Sequence, residues 1–69
     1  MRYAVVIEKA ENNYSAYVPD LPGCVSCGGT PEEVRRLIEE AVDLHIDSLR
    51  RHGEPVPPPT AITHTVHAA

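Results

Sequence analysis

The sequence predicts an α+β fold with the element order β-β-β-α-β, in which a small antiparallel sheet carries one long helix on a face. Two observations support this prediction. Short runs of alternating apolar and polar residues near the N-terminus are separated by turn signals, and a long amphipathic segment follows between Thr30 and Gly53. Because the chain has only 69 residues, we expect a single domain that spans residues 1–69.

Three strands are predicted, at residues 2–8, 14–18 and 24–28. The alternation places three apolar residues of each longer strand on one face: Tyr3, Val5 and Ile7 in the first, and Tyr14, Ala16 and Val18 in the second. Asn12 and Asn13 suit a hairpin turn between these two strands. Pro19 ends the second strand because proline has no amide hydrogen to donate to a sheet. Gly28 and Gly29 then allow the chain to turn into the helix.

The helix has signals at both ends. Thr30 is a favoured N-cap, Pro31 suits the first helical position, and Glu33 completes a capping box. Gly53 is a favoured residue just beyond a helix C-terminus. A proline-rich connector follows at residues 55–59, and the alternation of residues 61–67 predicts a fourth strand.

The apolar side of the predicted helix is wide. Eight apolar residues share it: Val34, Leu37, Ile38, Ala41, Val42, Leu44, Ile46 and Leu49. They fill about 200° of a helical wheel, which is more than one sheet face needs. We therefore expect the excess edge, near Val42 and Ile46, to contact another subunit in a homo-oligomer, either a dimer or a tetramer.

The charge of the chain indicates the kind of partner it would bind. Ten acidic and six basic residues give a formal net charge of −4. Binding to nucleic acid depends on Lys and Arg at phosphates, so we expect no direct nucleic-acid contact by this chain and a basic partner instead. The sequence begins with no charged-then-apolar leader, and its longest apolar run is too short for a membrane span. These features favour a cytoplasmic protein with no membrane contact.

Two sets of polar residues are candidates for binding a partner. Asp20 lies in a loop restricted by prolines on both sides, where its alternative role is to bond the backbone of its own turn. Glu39, Asp43 and Asp47 recur at intervals of four residues and so share one side of the helix. They form either an ordinary solvated face or a contact surface for a basic partner.

The spacing of the cysteines and histidines does not favour a metal or redox site. Cys24 and Cys27 fall on opposite faces of a regular strand, as do His64 and His67, so neither pair chelates a metal without distortion. We predict no metal site and no cofactor, with a metal or redox protein built on these residues as a minor alternative. The sequence contains no recognisable catalytic triad or phosphate-binding loop, and we expect the protein not to be an enzyme.

The order of these features resembles the N-terminal domain of HicB-like antitoxins. The resemblance rests on the hexapeptide Pro-Asp-Leu-Pro-Gly-Cys at residues 19–24, followed by the capped helix and the proline-rich end. The other matching residues are Tyr14, Tyr17, Gly28, Thr30, Glu32, Glu33, Leu44, Leu49, Gly53, Pro55 and Pro57. Three departures are Gly29 in place of an acid, Val34 in place of alanine, and the expected lack of a C-terminal DNA-binding segment.

The resemblance implies a partial RNase H-like fold and a function. A domain of this family sequesters a small basic toxin that cleaves mRNA, a HicA-like RNase, within a type II toxin–antitoxin pair. RNase H chemistry needs several convergent carboxylates that hold metal ions. Asp20 is the sole acid between Asn12 and Pro31, so we expect binding without nuclease activity. The alternative is a stand-alone oligomeric module that binds a protein or a small ligand and has no toxin partner.

Overall fold

The computed structural model describes residues 1–68 and contains three strands followed by one helix. The elements are β1 (Val6–Lys9), β2 (Tyr14–Tyr17), β3 (Val25–Gly28) and α1 (Pro31–Arg51). The strands form one sheet of order β1-β2-β3, and both neighbouring pairs are antiparallel. This architecture confirms the α+β class and the predicted order of the first four elements.

The register of the sheet separates two faces. Ala16 lies opposite Ile7 on one side and Ser26 on the other, and this row faces the helix. The neighbouring row joins Val6, Tyr17 and Val25 on the opposite face. Because successive side chains alternate along a strand, the helix covers the Ala16 row and leaves the Tyr17 row uncovered.

The start of α1 is capped by two side chains. The Oγ1 atom of Thr30 accepts a hydrogen bond from the Glu33 amide at 3.0 Å. The Oε1 atom of Glu33 accepts one from the Gly29 amide at 2.9 Å. The glutamate therefore reaches one residue further back than in the usual capping box, whose partner is the N-cap amide. The predicted helix start is confirmed.

The end of α1 is closed by a Schellman motif. Gly53 has a φ of +67°, and its amide donates to the Arg50 carbonyl at 3.2 Å. The Glu54 amide donates to the Leu49 carbonyl at 2.9 Å. These are the two bonds that define this motif, and glycine adopts the positive φ without steric cost.

The core lies between the sheet and the first half of α1. Its buried residues are Ala16, Val18, Leu21, Cys24, Val34 and Ile38. Leu21 has no exposed surface although it belongs to a loop. Hydrogen bonds from the Leu21 amide to the Val18 carbonyl and from the Cys24 amide to the Leu21 carbonyl fold that loop inwards. The Pro-Asp-Leu-Pro-Gly-Cys segment therefore contributes its leucine to the core.

The predicted fourth strand does not form within the described chain. Residues 61–67 have no strand partner, and we call residues 61–68 the C-terminal arm. Its start is bonded to a side chain instead, because the Ala61 amide donates to Asp20 at 2.9 Å. The arm then leaves the body of the domain, with Ile62 91% exposed and Val66 75% exposed. An alternating pattern alone was insufficient, since a strand also needs a neighbouring edge to pair with.

No helix within residues 1–68 is both long enough and apolar enough to cross a lipid bilayer.

Candidate protein-binding groove

A groove runs between the second half of α1 and the N-terminal segment, residues 1–5. The helix packs mainly on β3 and β2 and least on β1, so its far end lies beside the N-terminal segment rather than over a complete sheet. Two adjoining cavities of about 430 Å³ and about 330 Å³ occupy this position. Both are lined by Met1, Tyr3 and Val42. We call them together the α1 groove.

The floor of the α1 groove is apolar. Val42 and Ile46 line it from the helix, and Tyr3 and Val5 line it from the N-terminal segment. All four are half-buried and pack against the core. The Tyr3 hydroxyl donates to the Pro57 carbonyl oxygen, which fixes the ring between the groove and the proline-rich connector. The structure therefore places the two residues predicted as an oligomer contact on the floor of a groove.

The groove lining includes three acidic residues of α1, which we call the acidic rim. Glu39 lines the smaller cavity, and Asp43 and Asp47 line the larger one. Arg2 and Arg50 also contribute to the lining. The three acids predicted as a partner-binding side of the helix thus lie next to the predicted oligomer contact. Sequence reasoning had not linked them through the N-terminal segment.

The rim acids differ in their ionic partners. Asp47 Oδ2 lies 2.9 Å from Arg51 Nε, as the spacing of these residues predicts. Within residues 1–68, no ion pair reaches Asp43 or Glu39; the other pair joins Arg36 and Glu40 at 3.5 Å. Exposed pairs of this kind contribute about 0–1 kcal/mol to stability. The carboxylates of Asp43 and Glu39 are therefore exposed and have no ion pair within the described chain.

Asp20 lines neither cavity and has a different set of contacts. Its carboxylate accepts hydrogen bonds from the Thr60 amide at 2.9 Å, the Thr60 hydroxyl at 2.7 Å and the Ala61 amide at 2.9 Å. The bond from Ala61, followed by that from the Thr60 hydroxyl, lowers the pKa of Asp20 because hydrogen bonds to a carboxylate favour its charged form. Asp20 therefore bonds the chain at the start of the C-terminal arm, and not the backbone of its own turn, which was its alternative role.

The cysteines lie on different sides of the domain. Cys24 is buried and Cys27 is exposed, and burial raises the pKa of the Cys24 thiol. His64 and His67 lie on the exposed arm. Among residues 1–68 no three His, Cys, Asp or Glu side chains are grouped closely enough to hold a metal ion.

A second apolar surface lies on the uncovered face of the sheet. Val6, Tyr17 and Val25 form one row across all three strands. Tyr17 is 41% exposed and Val25 is 63% exposed. The register of all three strands defines this row.

Comparisons with known proteins identify the family. Residues 3–69 match the family model described as the HicB-like antitoxin of bacterial toxin–antitoxin systems. The chain therefore belongs to the HicB-like antitoxin family, and the resemblance carried by the hexapeptide and the capped helix is confirmed.

Two UPF0150 proteins have sequences similar to this chain. The UPF0150 protein Ta0767 of Thermoplasma acidophilum is 44% identical over 69 residues, which cover 99% of this chain and 100% of that protein. A UPF0150 protein of Helicobacter pylori is 54% identical over 44 residues, covering 64% of this chain and 61% of its own.

A solved structure shares the fold. A chain of the HicA3 and HicB3 toxin–antitoxin complex superposes with a TM-score of 0.74 and 35% sequence identity, covering 86% of this chain and 70% of that chain.

Proposed function

We propose that this protein is an antitoxin that binds and occludes a small basic, mRNA-cleaving toxin of the HicA type. The observation that carries the proposal is the similarity to a chain of a solved HicA3–HicB3 complex at 35% identity. The family model supports the same function over nearly the whole chain. The protein would act by binding alone, and in the cytoplasm, where mRNA is accessible to such a toxin.

The acidic rim of the α1 groove is the surface that best suits a basic partner. Asp43 and Glu39 have no ion pair within the described chain, so a cation on the toxin gains attraction without first displacing an internal arginine. Charges at the rim of an interface mainly steer association and raise its rate. Asp20 is a weaker candidate for direct contact because both of its carboxylate oxygens already accept hydrogen bonds.

The homo-oligomer belongs to the same proposal. Val42 and Ile46 are half-buried on the groove floor, and covering them would remove further apolar surface from water. A second copy of the chain would cover the floor, while the acidic rim remains at the surface for the toxin. Several copies of the rim in one assembly would increase the avidity for an oligomeric toxin.

Co-expression with the adjacent basic reading frame tests the antitoxin function. We expect that frame to arrest growth and degrade mRNA when expressed alone, and this protein to restore growth and co-purify with the toxin. If the adjacent proteins are harmless and none binds, the antitoxin proposal is wrong, and a stand-alone oligomeric module becomes the better description.

A charge-reversal pair tests the acidic rim. Asp43→Lys is expected to slow association with the toxin and to reduce its dependence on salt, because it removes part of the attraction. Glu11→Lys makes the same charge change in the exposed hairpin turn, away from the groove, and serves as the control. Equal slowing by both variants would indicate a general charge effect and would exclude a specific role for the rim.

A further inference from the structure

We propose that the C-terminal arm of one copy adds as a strand to the outer edge of β1 in a second copy. The arm would run beside the N-terminal segment and cover the floor of the α1 groove. This inference rests on the homo-oligomer in the proposed function and is independent of the toxin. It identifies the segment that covers Val42 and Ile46.

The arm has the composition of a strand without a sheet. Residues 62–66 read Ile-Thr-His-Thr-Val, and four of these five are β-branched residues that favour strands. Ile62 and Val66 fall on the same side of an extended chain and are 91% and 75% exposed. Within the described chain, the backbone of residues 62–68 forms no hydrogen bond to other backbone groups. Pairing with an edge would bury both side chains and satisfy the backbone.

The edge of β1 has the complementary properties. β1 is an outer strand of the sheet, so one side of its backbone has no ladder partner, and residues 1–5, which belong to no strand, lead directly into it. An unpaired edge is a template for an additional strand. The helix packs mainly against β3, the opposite outer strand, and least against β1. Beside the N-terminal segment, which leads into β1, the two cavities leave space next to Val42 and Ile46.

The anchor of the arm favours a second copy as the acceptor. Asp20 holds the Thr60 and Ala61 amides, so the arm has a defined starting point and leaves the domain there. Beyond that point Ile62 is 91% exposed and Val66 is 75% exposed, so neither side chain packs on its own chain. Reciprocal insertion of two arms gives a closed two-fold dimer in which both edges are paired.

The mass of the assembly in solution tests the proposal. Wild-type protein is expected to sediment as a dimer or a dimer of dimers, and Ile62→Asp with Val66→Asp as a monomer. Thr63→Asp with Thr65→Asp places the same charges on the other side of the arm and should keep the assembly. Both pairs lie on exposed residues, so the monomer fold should survive, as circular dichroism would check. An unchanged mass of the Ile62 and Val66 variant overturns the proposal, as does a monomeric wild type.

Hydrogen exchange adds a readout for the site itself. The amides of residues 63–67 and of one side of β1 should be protected in the wild-type assembly, and both sets should lose protection together in the Ile62 and Val66 variant. Arm protection in a monomer would mean that the arm folds back on its own chain, which overturns exchange between copies. Toxin binding is scored separately. A toxin-free assembly that dissociates in the variant supports the arm proposal even if the antitoxin function fails.

Discussion

Asp20 and Thr60 are joined by two hydrogen bonds that connect parts of the chain 40 residues apart. The Thr60 amide donates to Oδ2 at 2.9 Å, and the Thr60 hydroxyl donates to Oδ1 at 2.7 Å. The Ala61 amide adds a third bond. The aspartate of the Pro-Asp-Leu-Pro-Gly-Cys segment therefore fixes the point at which the C-terminal arm leaves the domain.

Replacement of this aspartate should release the start of the arm. Asp20→Asn retains one acceptor oxygen and places an NH₂ group, which is a donor, where the second acceptor was. We expect faster hydrogen exchange at the Thr60 and Ala61 amides and faster proteolysis within residues 61–68. Glu11→Gln neutralises an exposed acid in the hairpin turn and should leave both measurements unchanged. Equal exchange rates in wild type and Asp20→Asn would contradict the role of this carboxylate.

The same contact should be sensitive to acid. The pKa of Asp20 is lowered in the folded protein, so the contact contributes its full stability above the ordinary aspartate value of about 3.9. That contribution is lost as pH falls through the lowered pKa, because protonation removes acceptor capacity. Amide chemical shifts of Thr60 and Ala61, followed by NMR from neutral pH downwards, should titrate below that ordinary value. A midpoint above it, or an unchanged titration in Asp20→Asn, would contradict this assignment.

The two adjacent glycines before α1 should respond differently to alanine. A Cβ atom on Gly28 would lie 2.8 Å from the Val34 backbone nitrogen, so Gly28→Ala must shift the helix start. We expect it to lower the free energy of unfolding by about 1–3 kcal/mol. A Cβ atom on Gly29 would lie 4.0 Å from Glu33 Oε1, and Gly29→Ala should be neutral or slightly stabilising. Urea denaturation of both variants provides the measurement; equal losses would contradict the close approach at Gly28.

The loss in the free energy of unfolding on replacing an apolar residue of α1 by alanine should depend on where that residue lies along the helix. Ile38 is 1% exposed in the core, and Ile38→Ala should lower the free energy of unfolding by about 2–5 kcal/mol. A core of this size rarely supplies more than about 3–5 kcal/mol, so much of that variant should be unfolded without denaturant. Leu44 is 71% exposed, and Leu44→Ala should change stability by less than about 0.5 kcal/mol. Thermal unfolding followed by circular dichroism compares them, and a large loss for Leu44→Ala would indicate burial in an oligomer.

Local chemistry made the ends of the elements predictable. Thr30, Pro31 and Gly53 act through their own backbone conformation and nearby amides, so sequence spacing was sufficient to place the helix. The same holds for the chain reversal after Pro19 and for the face that carries Ala16 and Val18. These features, together with the hexapeptide, were enough to predict the α+β class and the family.

Long-range packing decided the remainder. Leu21 is buried because its loop folds back on the sheet, which no alternating pattern indicates. Residues 61–67 alternate like a strand, yet they pair with no strand of the described chain. Alternation does not indicate whether a strand lies close enough to pair with them.

The α1 groove also depends partly on local sequence and partly on long-range packing. The sequence predicted that Glu39, Asp43 and Asp47 share one side of α1 and, separately, that Val42 and Ile46 contact another subunit. Only the tertiary structure placed Met1, Tyr3 and Val5 opposite that side, where they form a groove. Helical periodicity determines which side chains share a face, whereas a groove also needs a second segment, and its position depends on contacts distant in the chain. By itself the sequence therefore determined the first four elements, the helix caps and the family, and tertiary packing decided where a partner can bind.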